Sequence, residues 1–115
     1  MGGVTTKPYQ GYNANMQKDE IKKRLHGAVR TSPSRKKIRK ISLFGSYLHG
    51  DAKEASDIDL LIELTEESMG LFEFVGLKQF LEEHLGTSVD LVTSEALSKY
   101  FREDVEREAE LLYET

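Results

Sequence analysis

The sequence predicts a small α/β (α+β) domain in which helices pack on a small mixed β-sheet. Three observations support this prediction: the length of the chain, the alternation of helical and strand patterns along it, and the lack of an internal repeat. The 115 residues (13.1 kDa) suffice for one modest hydrophobic core and are too few for two domains. The patterns follow the order α-β-loop-β-α-β-α, which is typical of layered α/β domains.

Residues 1–15 are predicted to form a flexible lead-in, and residues 16–115 a single domain. The lead-in is rich in Gly, Thr, Asn and Tyr and has no apolar period. The first helix is expected from Gln17 to Arg30, where apolar residues recur at helical spacing among Lys, Arg and Glu. The Ser-Pro-Ser sequence at 32–34 ends this helix, because the residue before a proline avoids helical backbone angles.

Three short strands are predicted after the first helix. They lie at Ile41–Phe44, Asp57–Leu64 and Ser88–Thr93, and each is rich in β-branched or other apolar residues. The first two strands are joined by Gly45–Ser56, a segment with two glycines and many polar residues. We interpret this segment as a loop with room for one helical turn.

Two further segments have helical patterns. Apolar residues follow one helical stripe from Gly70 to Leu85, with Ser68 as the expected N-cap and Gly86 as the expected C-terminal capping residue. The segment Ser94–Tyr113 has apolar residues at steps of three or four, which predicts one or two more amphipathic helices. Together with the strands, these helices complete the predicted layers.

The composition excludes several classes of protein. The sequence contains no Cys, which excludes a disulfide framework, a thiolate zinc site and a cysteine nucleophile. Its apolar stretches are only a few residues long, too short to span a membrane. The N-terminus lacks the apolar region of a secretory signal, so we expect a soluble cytoplasmic protein.

The charges are divided unevenly along the chain. Residues 1–44 hold 11 of the 16 Lys and Arg residues but only 2 of the 20 Asp and Glu residues. Such asymmetry is typical of proteins that meet a polyanion or a charged partner. The basic run Arg35–Lys40 could steer ATP or RNA, but it lacks the interleaved aromatic residues that stack on bases. We therefore favour a solvated loop over direct nucleic-acid binding.

Three aspartates form the clearest chemical pattern. Asp57 and Asp59 are two residues apart on a predicted strand, so both carboxylates point to the same face. Asp90 lies between Val89 and Leu91 in another strand and would point away from both. Neighbouring carboxylates repel one another unless a cation lies between them, and their oxygens suit Mg²⁺ or Mn²⁺. Taken singly, each acid could equally be a solvated residue at the end of a strand.

Gly45 and Ser46 directly follow the first strand. A glycine lets the backbone approach a ligand closely, and a strand-to-helix turn presents N–H groups and a hydroxyl that hold phosphates. Taken alone, a Gly-Ser pair after a strand is most often a plain turn. A turn of this kind followed by two carboxylates on the next strand and a third acid further on is more specific.

The segment GSYLHGDAKEASDIDLLIEL (45–64) resembles the signature of the DNA polymerase β-type nucleotidyltransferase superfamily. That signature consists of a Gly-Ser pair, a spacer and an Asp-hydrophobic-Asp sequence. The short length, the following helix and the VDLV strand are similar to the minimal nucleotidyltransferase (MNT) branch. The resemblance extends from about Met16 to the C-terminus and implies the nucleotidyltransferase (polymerase β-like) fold.

The resemblance also implies a role for each residue of the motif. Gly45 and Ser46 would cradle the triphosphate of ATP, the substrate. Asp57, Asp59 and Asp90 would be the catalytic residues and the metal ligands, with two Mg²⁺ ions expected and Mn²⁺ as a substitute. Asp90 would also help to polarise the hydroxyl group that accepts the nucleotide.

The MNT branch is similar to antitoxins encoded beside HEPN-domain toxins, which are ribonucleases. The resemblance therefore implies a metal-dependent enzyme that moves AMP from ATP onto a tyrosine of a partner HEPN-type toxin and silences it. Two alternatives stay open. The protein could be an antitoxin that neutralises the toxin by binding alone, or a nucleotidyltransferase that acts on RNA or a small molecule.

Overall fold

The computed structural model describes residues 18–45 and 57–115 of the chain. The predicted lead-in, Ser46 and the remainder of the predicted loop lie outside these ranges. The described elements, in chain order, are α1 (Lys18–Thr31), β1 (Ile38–Phe44), β2 (Ile58–Leu64), α2 (Leu71–Leu85), β3 (Val89–Thr93), α3 (Lys99–Glu108) and β4 (Glu110–Glu114). Short 3-10 turns precede β1 and follow β3. Within the described ranges, every helix is too short or too polar to cross a membrane.

The four described strands form one mixed sheet in the order β3-β2-β1-β4. β2 is parallel to β3, whereas β1 is antiparallel to both β2 and β4. This topology brings the C-terminal end of β1 and the N-terminal ends of β2 and β3 to the same end of the sheet. The predicted mixed sheet is therefore confirmed, and its topology determines which residues can form a site.

Helices α1 and α2 cover one face of the sheet and form the hydrophobic core with it. The apolar residues of β2 that alternate with its acids, Ile58, Leu60 and Ile62, are fully buried under these helices, as the alternation predicts. The buried core consists of Ile21, Leu25, Ala28, Val29, Ile38, Ile41, Leu43, Ile58, Leu60, Ile62, Leu77, Leu81, Leu85, Val89, Leu91 and Leu112. The opposite face of the sheet carries the alternating residues of β2, among them Asp59.

The prediction for the C-terminal segment was partly wrong. Helix α3 ends at Glu108, Ala109 has an extended backbone, and residues 110–114 form β4 instead of continuing the helix. The edge of β1 needs a hydrogen-bonding partner, and β4 supplies it while burying Leu112 in the core. Pairing between distant segments therefore overrides the helical spacing of Leu112.

Two other local predictions are corrected. The basic run is not a solvated loop, because β1 begins at Ile38 and includes its second half. Within that run, Lys37 forms an ion pair with Glu73 (2.7 Å). The N-cap of α2 is Gly70, without a side-chain hydrogen bond, and not Ser68. The predicted cap at the other end is confirmed, since Gly86 has a φ of 76° and its N–H donates to the carbonyl of residue 82 (2.8 Å).

Candidate active site

Three side chains form a row across β1, β2 and β3 near one end of the sheet. Phe44 pairs with Asp59, and Asp59 pairs with Asp90. Residues paired directly on neighbouring strands point to the same face, with their Cα atoms about 4.5–5.5 Å apart. Ile58 and Leu60, which flank Asp59, are buried under the helices, so the row lies on the opposite face. The topology thus brings an aromatic ring and two carboxylates together.

Asp57 adds a third carboxylate beside this row. It directly precedes β2, and the alternation of side chains places it toward the same face as Asp59, two residues and about 6.6 Å earlier along the chain. The N–H of Ile58 donates to the carbonyl of Ser88 (2.9 Å), which fixes this end of β2 against β3. Asp57 and Asp90 are exposed, whereas Asp59 is half-buried between its neighbours. Asp59 is therefore the central acid of the group.

Gly45 makes room for the Asp59 carboxyl group. A Cβ atom added to Gly45 would lie 2.8 Å from Cγ and 3.1 Å from Cβ of Asp59, and closer still to one carboxylate oxygen. Gly45 also has a φ of 78°, in the left-handed region that residues with a Cβ rarely adopt. The sequence predicts a glycine that admits a phosphate, and the structure adds a second reason for glycine at this position.

The donor set suits Mg²⁺ or Mn²⁺ that arrives with a phosphate ligand. Within residues 18–45 and 57–115, no three Asp, Glu, His or Cys side chains converge closely enough to hold a metal ion by themselves. Mg²⁺ commonly takes one or two carboxylates and completes its octahedron with water and substrate phosphates. Asp57 and Asp59 provide two such carboxylates on one face, so these residues fit the ion without a closed protein cage.

Glu82 of α2 holds the start of β3, next to Asp90. Its carboxylate accepts hydrogen bonds from the Val89 backbone N–H (2.9 Å) and from Lys78 (3.0 Å). The bond from Val89, and then the ion pair with Lys78, hold the pKa of Glu82 below its usual 4.5. β3 lies at one edge of the described sheet, so the Glu82 carboxylate accepts a hydrogen bond from a backbone N–H that has no neighbouring strand as its partner. No local pattern in the sequence indicated this contact.

The Glu82→Ala substitution is expected to lower the free energy of unfolding by about 1–2 kcal/mol at pH 7, because Val89 loses a charged acceptor. Since the pKa of Glu82 is lowered in the folded state, its contribution is complete above about pH 4.5 and declines as the pH falls through the lowered value. Urea unfolding should therefore show a larger effect at pH 7 than at pH 3. Glu83→Ala, on the same turn of α2, is the control and should change stability by less than about 0.5 kcal/mol. Equal effects of the two substitutions would contradict the assignment.

Comparison with known proteins decides the family. The family model described as polymerase beta, nucleotidyltransferase matches residues 29–115, which include Gly45 and all three aspartates. The chain belongs to the polymerase beta nucleotidyltransferase family. The family resemblance stated from the motif is therefore confirmed, and the chain carries a nucleotidyltransferase domain.

Similar proteins agree with this nucleotidyltransferase assignment. The protein adenylyltransferase MntA of Thermococcus cleftensis is 44% identical over 71 residues, which are 62% of this chain and 71% of that protein. A solved structure described as a candidate minimal nucleotidyltransferase has a TM-score of 0.70 at 33% identity, covering 84% of this chain and 97% of that chain. A toxin-antitoxin crystal structure with AMP-PNP has a TM-score of 0.66 at 27% identity, covering 82% of this chain and 73% of that chain. The predicted fold is therefore confirmed.

An apolar cleft of about 340 Å³ adjoins the aspartates of the nucleotidyltransferase domain. It lies between the C-terminal end of β1 and helix α3. Its lining consists of Phe44, Gly45, Leu97, Phe101, Asp104, Val105 and Glu108. The cleft could not be predicted from the sequence, although the spacing of Phe101 and Val105 places both on one side of α3.

The structure brings together most of the predicted site residues. Gly45, Asp57, Asp59 and Asp90 lie at one end of the sheet, on or beside a single face. Ser46 lies outside the described residues, so its part in the site stays a prediction. The structure also identifies Phe44 and Glu82 at or beside the site, and no spacing pattern in the sequence indicated either residue.

Proposed function

We propose that this nucleotidyltransferase moves AMP from ATP onto a tyrosine hydroxyl of a partner HEPN-type toxin and thereby acts as its antitoxin. The observation that carries the chemistry is the Asp59 carboxylate, which lies against Gly45 and beside Asp90. The relatives support the substrate and the partner. One is named a protein adenylyltransferase, and another is a toxin-antitoxin structure with AMP-PNP.

In the proposed reaction, the acceptor oxygen attacks the α-phosphorus of ATP. A bond forms between these two atoms, the bond from the α-phosphorus to the bridging oxygen breaks, and pyrophosphate leaves. Asp57 and Asp59 would hold two Mg²⁺ ions, with Mn²⁺ as a substitute. The bound ions would neutralise charge on the triphosphate. The backbone at Gly45 and Ser46 would bind the phosphates through N–H groups.

The exposure of the acids suggests how their roles are divided. Asp59 is half-buried in the middle of the row, where it suits a ligand that stays with the enzyme. Asp90 is exposed on the edge strand β3, where a bulky protein acceptor can reach it. We assign to Asp90 the acceptance of the proton from the attacking hydroxyl, which then passes to solvent. Proximity and charge neutralisation supply the remainder of the catalysis.

The test is transfer of label from ATP to a HEPN-type partner protein. With Mg²⁺ and ATP labelled at the α-phosphate, we expect a labelled partner protein, and replacement of its acceptor tyrosine by Phe should abolish the label. Chelation of the metal should lower the rate by at least about a hundredfold, and Mn²⁺ should restore part of it. ATP labelled at the γ-phosphate is the control and should leave no label, because that phosphate departs with pyrophosphate.

The same assay separates the alternatives. Neutralisation of the toxin with no label on it would overturn the transfer reaction and favour an antitoxin that acts by binding alone. Label on RNA or on a small molecule, with none on protein, would overturn the proposed acceptor. Full activity in the presence of chelator would overturn the metal dependence.

A further inference from the structure

We infer that the apolar cleft between β1 and α3 holds the base of the nucleotide, with Phe101 as a base-contacting residue. This inference rests on the proposed function, because it assumes that a nucleotide binds at the aspartates. The family match, the motif and the three acids leave the base unassigned. The residues that line the cleft are the proposed contacts of the base.

The cleft is continuous with the acidic site. Phe44 lines the cleft and also pairs directly with Asp59, so the two side chains lie about 5 Å apart on one face of the sheet. Gly45 lines the cleft as well, and its Cα lies against the Asp59 carboxyl group. A nucleotide with its phosphates beside Asp59 and Gly45 therefore has the cleft within reach of its base.

The size and the apolar lining of the cleft suit a nucleobase. Its volume of about 340 Å³ lies at the lower end of the range for small-molecule sites, which is roughly 300–1,000 Å³. Four of its seven lining residues, Phe44, Leu97, Phe101 and Val105, are apolar, and two of these are aromatic. Aromatic side chains stack on any nucleobase, because every base has a π-face.

The acidic residues that line the cleft on the side of α3 orient the nucleotide. The acidic residues Asp104 and Glu108 also line the cleft, and Asp104 is paired with Arg107. The carboxylates of α3 repel a phosphate and tolerate a neutral base, whereas Mg²⁺ held by Asp57 and Asp59 would attract the phosphates toward the turn at Gly45. The same charges disfavour an acidic peptide as the occupant of the cleft.

Hydrogen bonds at the start of helix α3 hold Phe101 at the cleft. The Arg102 guanidinium donates to the carbonyl oxygens of Ser94 (2.9 Å) and Leu97 (3.4 Å), which ties the helix to the turn that follows β3. Ser98 caps the helix by accepting a hydrogen bond from the Phe101 N–H (3.4 Å). Phe101 is nevertheless 57% exposed, so its ring is accessible to a ligand.

The test compares two ligands on the full chain with Mg²⁺ present. One is an ATP analogue with a methylene group between the α- and β-phosphates, which binds without reaction, and the other is tripolyphosphate, which has no base. We expect Phe101→Ala to weaken the ATP analogue by about tenfold in calorimetric titration and to leave tripolyphosphate unchanged. Phe101→Tyr, which keeps the ring, should bind the analogue within about twofold of the original affinity.

Phe72→Ala is the matched control, because Phe72 is 92% exposed on α2, on the helix layer opposite the row, and should leave both affinities unchanged. Equal affinity of Phe101→Ala and the unsubstituted chain for the ATP analogue would overturn the inference alone. Loss of both ligands in Phe101→Ala would also overturn it, since the effect would then not be specific to the base. Failure of the unsubstituted chain to bind either ligand would overturn the proposed function as well.

Discussion

Replacement of Asp59 by Asn is expected to lower the rate of AMP transfer by at least about a hundredfold while the protein stays folded. Asp59 lies at the centre of the row, between Phe44 and Asp90, and its carboxylate is the one that Gly45 accommodates. Asn keeps the shape of the side chain but removes the negative charge that a divalent cation needs. The measurement is single-turnover transfer from α-labelled ATP, accompanied by thermal unfolding.

Thermal unfolding separates a catalytic effect from loss of structure. The side chain is half-buried near the end of the sheet, so we expect a change in stability of less than about 1 kcal/mol. Mg²⁺ with an ATP analogue should raise the unfolding temperature of the unsubstituted protein and have little effect on Asp59→Asn, because a bound ligand stabilises only the state that binds it.

Glu63→Gln is a matched control for the Asp59 substitution. Glu63 lies on the same strand and, four residues further on, points to the same face, but it forms an exposed ion pair with Arg39 (3.5 Å) away from the row. Its neutralisation should leave transfer within about twofold of normal, since exposed pairs contribute little. Equal losses from the two substitutions would contradict a specific role for Asp59.

The acids of the site could be predicted from the sequence because their arrangement depends on local spacing. The period of two along a strand was enough to place Asp57 and Asp59 on one face. The same period predicted that Val89 and Leu91 would point away from Asp90, and in the structure both are buried whereas Asp90 is exposed. The helices α1 and α2 and the cap at Gly86 were predictable for the same reason, since each depends on residues close together in the chain.

The features that the sequence did not reveal depend on contacts between distant residues. The strand β4 forms because β1, which lies about 70 residues earlier in the chain, needs a partner along its open edge, and helical spacing at Leu112 gave the wrong prediction. The pairing of Phe44 with Asp59 depends on strand register, which no single segment contains. The hydrogen bond from Val89 to Glu82 depends on how α2 packs beside β3. Such contacts follow from the tertiary fold rather than from local patterns.

Gly45→Ala is expected to lower the rate of AMP transfer by at least about a hundredfold, although it adds only one methyl group. The added Cβ would lie 2.8 Å from Cγ of Asp59, so the carboxyl group must move away from its place in the row. A displacement of about 1 Å in a reacting group can alone cost a hundredfold in rate. The measurement is again single-turnover transfer, with ATP-analogue affinity as a second readout.

Gly45→Ala also forces a residue with a Cβ into the left-handed region, and Gly86→Ala separates this backbone effect from the contact with Asp59. Gly86 has a nearly identical φ of 76°, but a Cβ atom there would meet only an Arg24 nitrogen at 3.5 Å, an ordinary contact. Both substitutions therefore force alanine into the left-handed region, at a cost of about 1–2 kcal/mol in stability. Only Gly45→Ala also displaces Asp59, so Gly86→Ala should lose stability and retain transfer. If the two variants lost activity in proportion to their stability, backbone strain alone would explain Gly45, and the contact with Asp59 would have no catalytic role.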